Sequence, residues 1–278
     1  MYAYALATLA NKNAIDDLKV FFFSLQLWND TLPNVYIFCD SDVEEYLKTK
    51  PYKGNLQYKN VLNHYNGLNR KKMELLPGKE FKTLFHDFVV EKTHLMDWVF
   101  ESEKSVLFCD ADICFMAPLQ TINTDYKLGV SRHNIRTYDE QQYGMYNAGF
   151  LYASDKTIPS LWREVSKTSH FFEQACIEDL VKEFCESYFV FPNTINYGWW
   201  RLLQGKESIQ ILKSKWSIKR EQNCSGICIE GEPLLSIHTH FKTNDMSTIL
   251  FNDFVKGFLE KLKSVEKTKK LLQFLKQL

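Results

Sequence analysis

Asp110-Ala111-Asp112 is the segment whose residue types and spacing could do chemistry. Side chains two apart in an extended segment point to the same side, so the two carboxylates stand together. Adjacent carboxylates repel each other strongly unless something positive sits between them. A hard divalent cation, itself shared with diphosphate oxygens, is the natural partner. As a bare triplet, Asp-x-Asp occurs often by chance as two solvated loop acids. Here it follows Val106-Leu107-Phe108-Cys109, which reads as a buried strand, and Ile113-Cys114-Phe115 resumes the apolar run. Loops that merely expose acids rarely carry large apolar residues on both sides. Ligands of open α/β sheets bind at the C-terminal ends of strands, where this triplet falls.

Other candidates can be read one by one. His238-Thr239-His240 follows Leu234-Leu235-Ser236-Ile237, a late strand that places both imidazoles on one face; an imidazole there could complete a manganese site. Tyr146-Asn147-Ala148-Gly149-Phe150 puts an amide and small residues where a loop enters a strand. Small side chains let a ligand approach the backbone, and Asn147 offers a hydroxyl both a donor and an acceptor. Glu173-Gln174 opens a helix, where an acid is an ordinary choice against the helix dipole. Lys92, eighteen positions before Asp110, opens another. Taken singly, each has a structural explanation: a capping acid, a turn Asn, a core His, a solvated Lys.

The elements that must position these residues follow from periodicity. Residues 2–9 read as a strand, and 14–28 carry a helical apolar face of Ile15, Leu18, Phe22 and Leu25. Val35-Tyr36-Ile37-Phe38-Cys39 is a continuous apolar run suited to a strand buried on both faces. A helix then starts with Ser41 as its cap and acids in its first turn. Residues 92–102 read as a helix, 105–109 as a buried strand, 127–131 and 149–152 as further strands separated by a polar loop at 132–145, and 159–167 and 173–185 as helices. Strands alternating with helices at this spacing indicate an α/β sheet with parallel strands. Residues 1–246 make the main domain. Residues 247–278, with seven lysines and three acids, read as an amphipathic helical extension that is solvated, with covering the sheet's edge, dimerisation and peripheral contact with an anionic membrane as the alternatives.

Composition bounds the rest. At 278 residues and 45% hydrophobic content the chain can bury a sizeable core. Its 34 basic and 34 acidic residues balance, which disfavours nucleic acid as a partner. The seven cysteines are odd in number and scattered, without a CxxC pair, so neither a disulfide framework nor a zinc site is expected and the compartment reads as reducing. The apolar N-terminus lacks a basic flank and is too short to span a bilayer. A cytoplasmic protein without a transmembrane segment is the expectation.

Taken together, Lys92, then Val-Leu-Phe-Cys-Asp110-Ala111-Asp112, then Asn147-Ala148-Gly149-Phe150, then Glu173-Gln174, then Ile237-His238-Thr239-His240-Phe241-Lys242 resemble, in order and approximate spacing, the DxD-containing glycosyltransferases of the glycogenin and lipopolysaccharide galactosyltransferase group, family 8-like. The opening Ala7-Thr8-Leu9-Ala10 is similar to that group's start, and the resemblance covers roughly residues 2–245. It implies the GT-A fold, a Rossmann-like nucleotide-diphospho-sugar transferase fold with a mixed, mostly parallel central sheet flanked by helices. It implies transfer from a nucleoside diphosphate sugar (UDP favoured, GDP open) to a hydroxyl of a glycan or glycoconjugate, with retention favoured. Asp110 and Asp112 would hold Mn²⁺ or Mg²⁺ with one of His238 and His240. Thr8, Lys92, Ala111 and Lys242 would line the donor, Asn147 would hold a sugar hydroxyl, and Gln174, flanked by Glu173, would lie at the anomeric face. The group has one His, a glycine-containing turn and then a Lys; here two His, no glycine and an early Lys242 leave the imidazole ligand undecided. An inverting enzyme would need a base, which Glu173, Glu178, Asp179 or Asp139 could supply. The 132–145 loop with Trp199 and Trp200 would wall an acceptor cleft. Two alternatives stay open: a haloacid-dehalogenase-type Mg²⁺ phosphatase, although that family has its motif near the chain start, and a non-catalytic carbohydrate-binding relative.

Overall fold

The computed structural model describes residues 2–221 and 223–278. In chain order the first half runs β1 (Ala5–Ala10), α1 (Ile15–Trp28), β2 (Val35–Cys39), α2 (Ser41–Lys48), β3 (Leu56–Asn60), α3 (Arg70–Leu75), α4 (Leu84–Val99), β4 (Val106–Cys109), β5 (Ile113–Phe115) and β6 (Leu128–Arg132). There follow α5 (Thr137–Tyr143), β7 (Tyr146–Ala153), α6 (Ile158–Ser166), α7 (Ile177–Glu183), β8 (Tyr188–Val190), β9 (Tyr197–Gly198), α8 (Trp199–Leu203) and α9 (Ile209–Ser214). Three short strands, β10 (Trp216–Ile218), β11 (Ile227–Ile229) and β12 (Glu232–Pro233), precede β13 (Ser236–His238), and α10 (Met246–Lys261) and α11 (Glu266–Leu275) close the chain.

Every residue of β1, β2 and β4 is buried. Along β1, Leu6 and Ala10 enter one apolar cluster while Ala5, Ala7 and Leu9 enter another. The two clusters are the two faces of one sheet, which is why these strands read as unbroken apolar runs. Strand order is β3-β2-β1-β4-β7-β6-β8. All neighbours pair in parallel except β7, which is antiparallel to both β4 and β6. The mixed, mostly parallel sheet flanked by helices is therefore as expected. A second small sheet, β5-β13-β9, stands at the end of β4, and a third joins β10, β11 and β12.

Several boundaries differ from the sequence reading. The cap of α2 is Asp40, whose side chain accepts from Val43 N, rather than Ser41. The helix expected from Lys92 begins eight residues earlier, capped by Thr83, so Lys92 lies mid-helix and buried. The polar loop at 132–145 contains α5. Glu173 and Gln174 precede α7 instead of opening it. Strand β3 has no counterpart in the periodicity, because an edge strand of Gln57, Lys59 and Asn60 shows little apolar pattern. All seven cysteines are free. Among the described residues no helix is long and apolar enough to cross a membrane.

The final two helices pack onto the main core. Phe251, Val255 and Leu259 of α10 and Leu271, Leu272 and Leu275 of α11 are buried in the cluster that holds Leu18 and Leu25 of α1. Phe274 stacks on Phe23 with ring centroids 4.0 Å apart.

Candidate active site

Chain direction and sheet pairing build the site. Strand β4 ends at Cys109, and Asp110 stays in the sheet through its N–H, which donates to Gly149 O of β7 at 2.9 Å. The chain then turns into β5, which pairs antiparallel with β13 and sets His238 opposite Ile113. Thr239 N–H donates to Asp112 O at 3.0 Å. His238 Nε2 consequently stands 3.0 Å from Asp112 Oδ1 and 3.8 Å from Asp110 Oδ2. One ligand atom from each of Asp110, Asp112 and His238 lies within 4.8 Å of the others. Gly149 makes room: a Cβ there would stand 2.4 Å from Asp110 Oδ2 and 2.5 Å from His238 Cε1.

Behind the three residues runs a layer of amides. His238 Nδ1–H donates to Asn196 Oδ1 at 2.8 Å, and the Asn196 amide is oriented by donating to Asn147 Oδ1 at 2.9 Å and Ser131 Oγ at 3.2 Å. With Nδ1–H committed to Asn196, Nε2 is the ring nitrogen that faces the carboxylates, and in the singly protonated ring it is the one that carries the lone pair. Three acceptors without a donor among them form a set that a cation completes, and two carboxylates with one imidazole suit Mn²⁺ or a similar ion. Asn196 is fully buried at φ 54°, a left-handed position Asn tolerates better than most residues. Arg201, also buried, fixes that turn through Asn193 O, Ile195 O and Ser131 Oγ.

Asn147 spends all its hydrogen-bonding capacity inside the protein. Its Oδ1 accepts from Gly149 N and Asn196, and its Nδ2 donates to His133 Nε2 and Gln174 Oε1, both at 3.2 Å. Gln174 Oε1 also accepts from Ala148 N, and its Nε2 donates to Tyr143 O, which leaves one N–H unspent.

Charge at the site is arranged in two layers. Lys92 is buried, with Nζ 2.6 Å from Glu173 Oε1 and 3.8 Å from Asp110 Oδ1. Burial would lower its pKa, but Asp110 and Glu173 hold it above the ordinary lysine value. Burial raises the Asp110 carboxyl despite the pull of Lys92, and of His238 when its ring carries a second proton. Burial would also raise Asp112, yet His238, when its ring carries a second proton, and His240 outweigh it and hold that carboxyl well below its usual range. His240 lies outside the cluster of three. Its Nδ1 is 2.8 Å from Asp17 Oδ2 and its Nε2 is 3.5 Å from Asp112 Oδ2. Asp112 and then Asp17 push its pKa up to about 10.

No protein-family model matches the chain, and no curated protein matches it. Solved structures do. The galactosyltransferase LgtC, determined with donor and acceptor sugar analogues, superposes with a TM-score of 0.54 at 14% identity, over 96% of this chain and 99% of that one. The apo-form glycosyltransferase GlyE of Streptococcus pneumoniae gives 0.56 at 15% identity, covering 97% of this chain and 62% of its own. The bifunctional glycosyltransferase WbbM gives 0.54 at 10% identity over 98% and 52%. The fold is that of the GT-A glycosyltransferases.

On this GT-A scaffold the other expected residues fall as follows. Ala111 is buried between the two acids with its side chain in the core, so it can offer a ligand only backbone. Thr8 is fully buried within β1 and exposes no atom to a ligand. Lys242 is exposed and pairs with Asp16 at 2.8 Å, away from the three-residue cluster. Glu173, expected beside the reaction centre, is buried with its carboxylate occupied by the ion pair to Lys92 at 2.6 Å. Glu178 accepts from Met145 N, and Asp139 pairs with Arg136. Trp200 packs edge-on against His238 at 4.9 Å, with Trp199 beside it. A cavity of about 550 Å³ bordered by Pro118, Thr194, Cys224 and Leu235 shares no residue with this cluster. The contributions of His133, Asp17 and Arg201 carry no sequence signal, since each depends on a partner brought in by the fold.

Proposed function

We propose that the protein is a metal-dependent glycosyltransferase that moves a sugar from a nucleoside diphosphate sugar, UDP-linked by preference, to a hydroxyl of a glycan or glycoconjugate. The observation that carries this is the Asp110–Asp112–His238 cluster, three acceptors facing one another at the C-terminal end of β4. The GT-A fold supports it, as does the donor analogue named for LgtC, of like fold. A divalent cation held there would supply Lewis-acid stabilisation of the charge that builds on the departing diphosphate. The chain's own residues keep the cluster ready: Asn196 sets the His238 tautomer, Lys92 holds Asp110 from behind, and Gly149 leaves space in front. Asn147 aligns the amides. Gln174, with one N–H unspent, is the group we place nearest the reacting carbon, and an amide without a free base beside it fits retention.

A thermal-shift series with UDP- and GDP-sugars, with and without Mn²⁺, tests this. A cognate donor at 100 times its Kd should stabilise the fold by about 2.7 kcal/mol, a rise of several degrees, and only with metal. Asp110→Asn and Asp112→Asn should abolish that shift and lower turnover by about two to three orders of magnitude. Unchanged turnover in both would sink the proposal. Phosphate release from small phosphoesters would favour the phosphatase, and metal-independent sugar binding the carbohydrate-binding relative.

A further inference from the structure

The segment after β13 meets Asp112 twice. His238 faces Oδ1, and His240 faces Oδ2 at ion-pair distance, so each carboxylate oxygen has its own imidazole. The inner ring is buried; the side chain of the outer one is 56% exposed. That exposed ring is nevertheless held from two other elements. Asp17, buried in the first turn of α1, takes Nδ1 at 2.8 Å. Asn252, buried on α10, donates its amide to His240 O at 2.8 Å and accepts the Thr239 hydroxyl at 2.7 Å. Burying a carboxylate is costly unless it is paired, and the His240 ring is the partner that stands 2.8 Å from Asp17 Oδ2.

We infer that Asp17, His240 and Asn252 form a positioning device for Asp112, engaging its outer oxygen so that Oδ1 stays aimed at the space between Asp110 and His238. The inference rests on the metal-binding proposal for that cluster and adds residues that touch no metal themselves. An imidazole standing 3.5 Å from one oxygen restricts the swing of that carboxylate about its last torsion, so the other oxygen is presented over a narrower range. It also gives α10, the first of the two closing helices, a part in the site through Asn252.

Mn²⁺ binding, followed by loss of the free-ion EPR signal, provides the test, with melting temperature recorded for every variant. Wild type should bind and Asp110→Asn should not. His240→Gln and Asp17→Asn should each weaken affinity by about 10–100-fold, the usual effect of losing an outer partner of a ligand. The double variant should be no weaker than His240→Gln, because both act through one ring. Electron spin-echo spectra of bound Mn²⁺ should show a single coupled imidazole nitrogen in wild type and in His240→Gln. Affinities within twofold of wild type for both variants, while Asp110→Asn is inactive, would overturn the inference and leave the cluster standing. Two coupled imidazoles in wild type would make His240 a ligand and overturn it as well. Absence of Mn²⁺ binding in wild type would remove the metal proposal and this inference with it. His240→Gln alters an exposed ring and carries the test should Asp17→Asn fail to fold.

Discussion

His133 sits between Trp200 and Asn147, its Nδ1–H donating to Gly144 O at 2.8 Å and its Nε2 accepting from Asn147. Only the neutral imidazole satisfies both bonds, and burial pushes the pKa down to about 4. An unfolded histidine protonates near 6.5. The neutral ring therefore stabilises the fold fully above that pH, and the contribution is lost as pH falls towards 4, by about 3 kcal/mol in all. Urea titrations of wild type and His133→Gln between pH 7 and 4.5 check this. Wild type should lose stability faster than the variant, and parallel losses would refute it. The sequence placed His133 in a loop and gave no reason to single it out, because its role depends on Asn147 and Gly144.

At the level of elements, α4 carries the support of Asp110. The sequence shows a helix there but misplaces its start, and lysine is so seldom buried that a solvated Lys92 was the natural expectation. What reverses it is Glu173, 81 residues onward, brought to 2.6 Å by the packing of α4 against the segment before α7. Removing one member of a buried pair leaves the other uncompensated. Lys92→Met should cost about 3–5 kcal/mol, and Lys92→Met with Glu173→Gln should recover part of that loss. Chemical denaturation of the three proteins measures it. A cost below about 1 kcal/mol for Lys92→Met would mean that Glu173 is free to act elsewhere, restoring it as a candidate acid or base.

For the whole molecule, the last two helices matter more than their lysine content implied. Leu271, Leu272 and Leu275 are buried in the main core, and Phe274 stacks on Phe23. At roughly 1.5–3 kcal/mol per fully buried leucine, deleting residues 263–278 removes about 5–9 kcal/mol, close to the entire stability of an ordinary domain. The shortened chain should lose its cooperative thermal transition in circular dichroism. A sharp melt within a few degrees of the full chain would show that α11 is dispensable.

The sequence by itself determined that this is an α/β chain with two acids at the end of a buried strand, because alternation, apolar runs and end-of-strand position are local properties. It also held the order of Lys92, Asp110, Asp112, Asn147, Gln174 and His238. Which histidine stands within reach of both Asp110 and Asp112 belonged to the tertiary structure. His238 and His240 are two residues apart on one chain, and the difference lies in what reaches them: Asn196 to the first, Asp17 to the second. The same holds for Lys92 against Glu173 and for Asn147 among its four partners. Hydrogen-bond capacity is finite, and only the folded chain decides which partners use it.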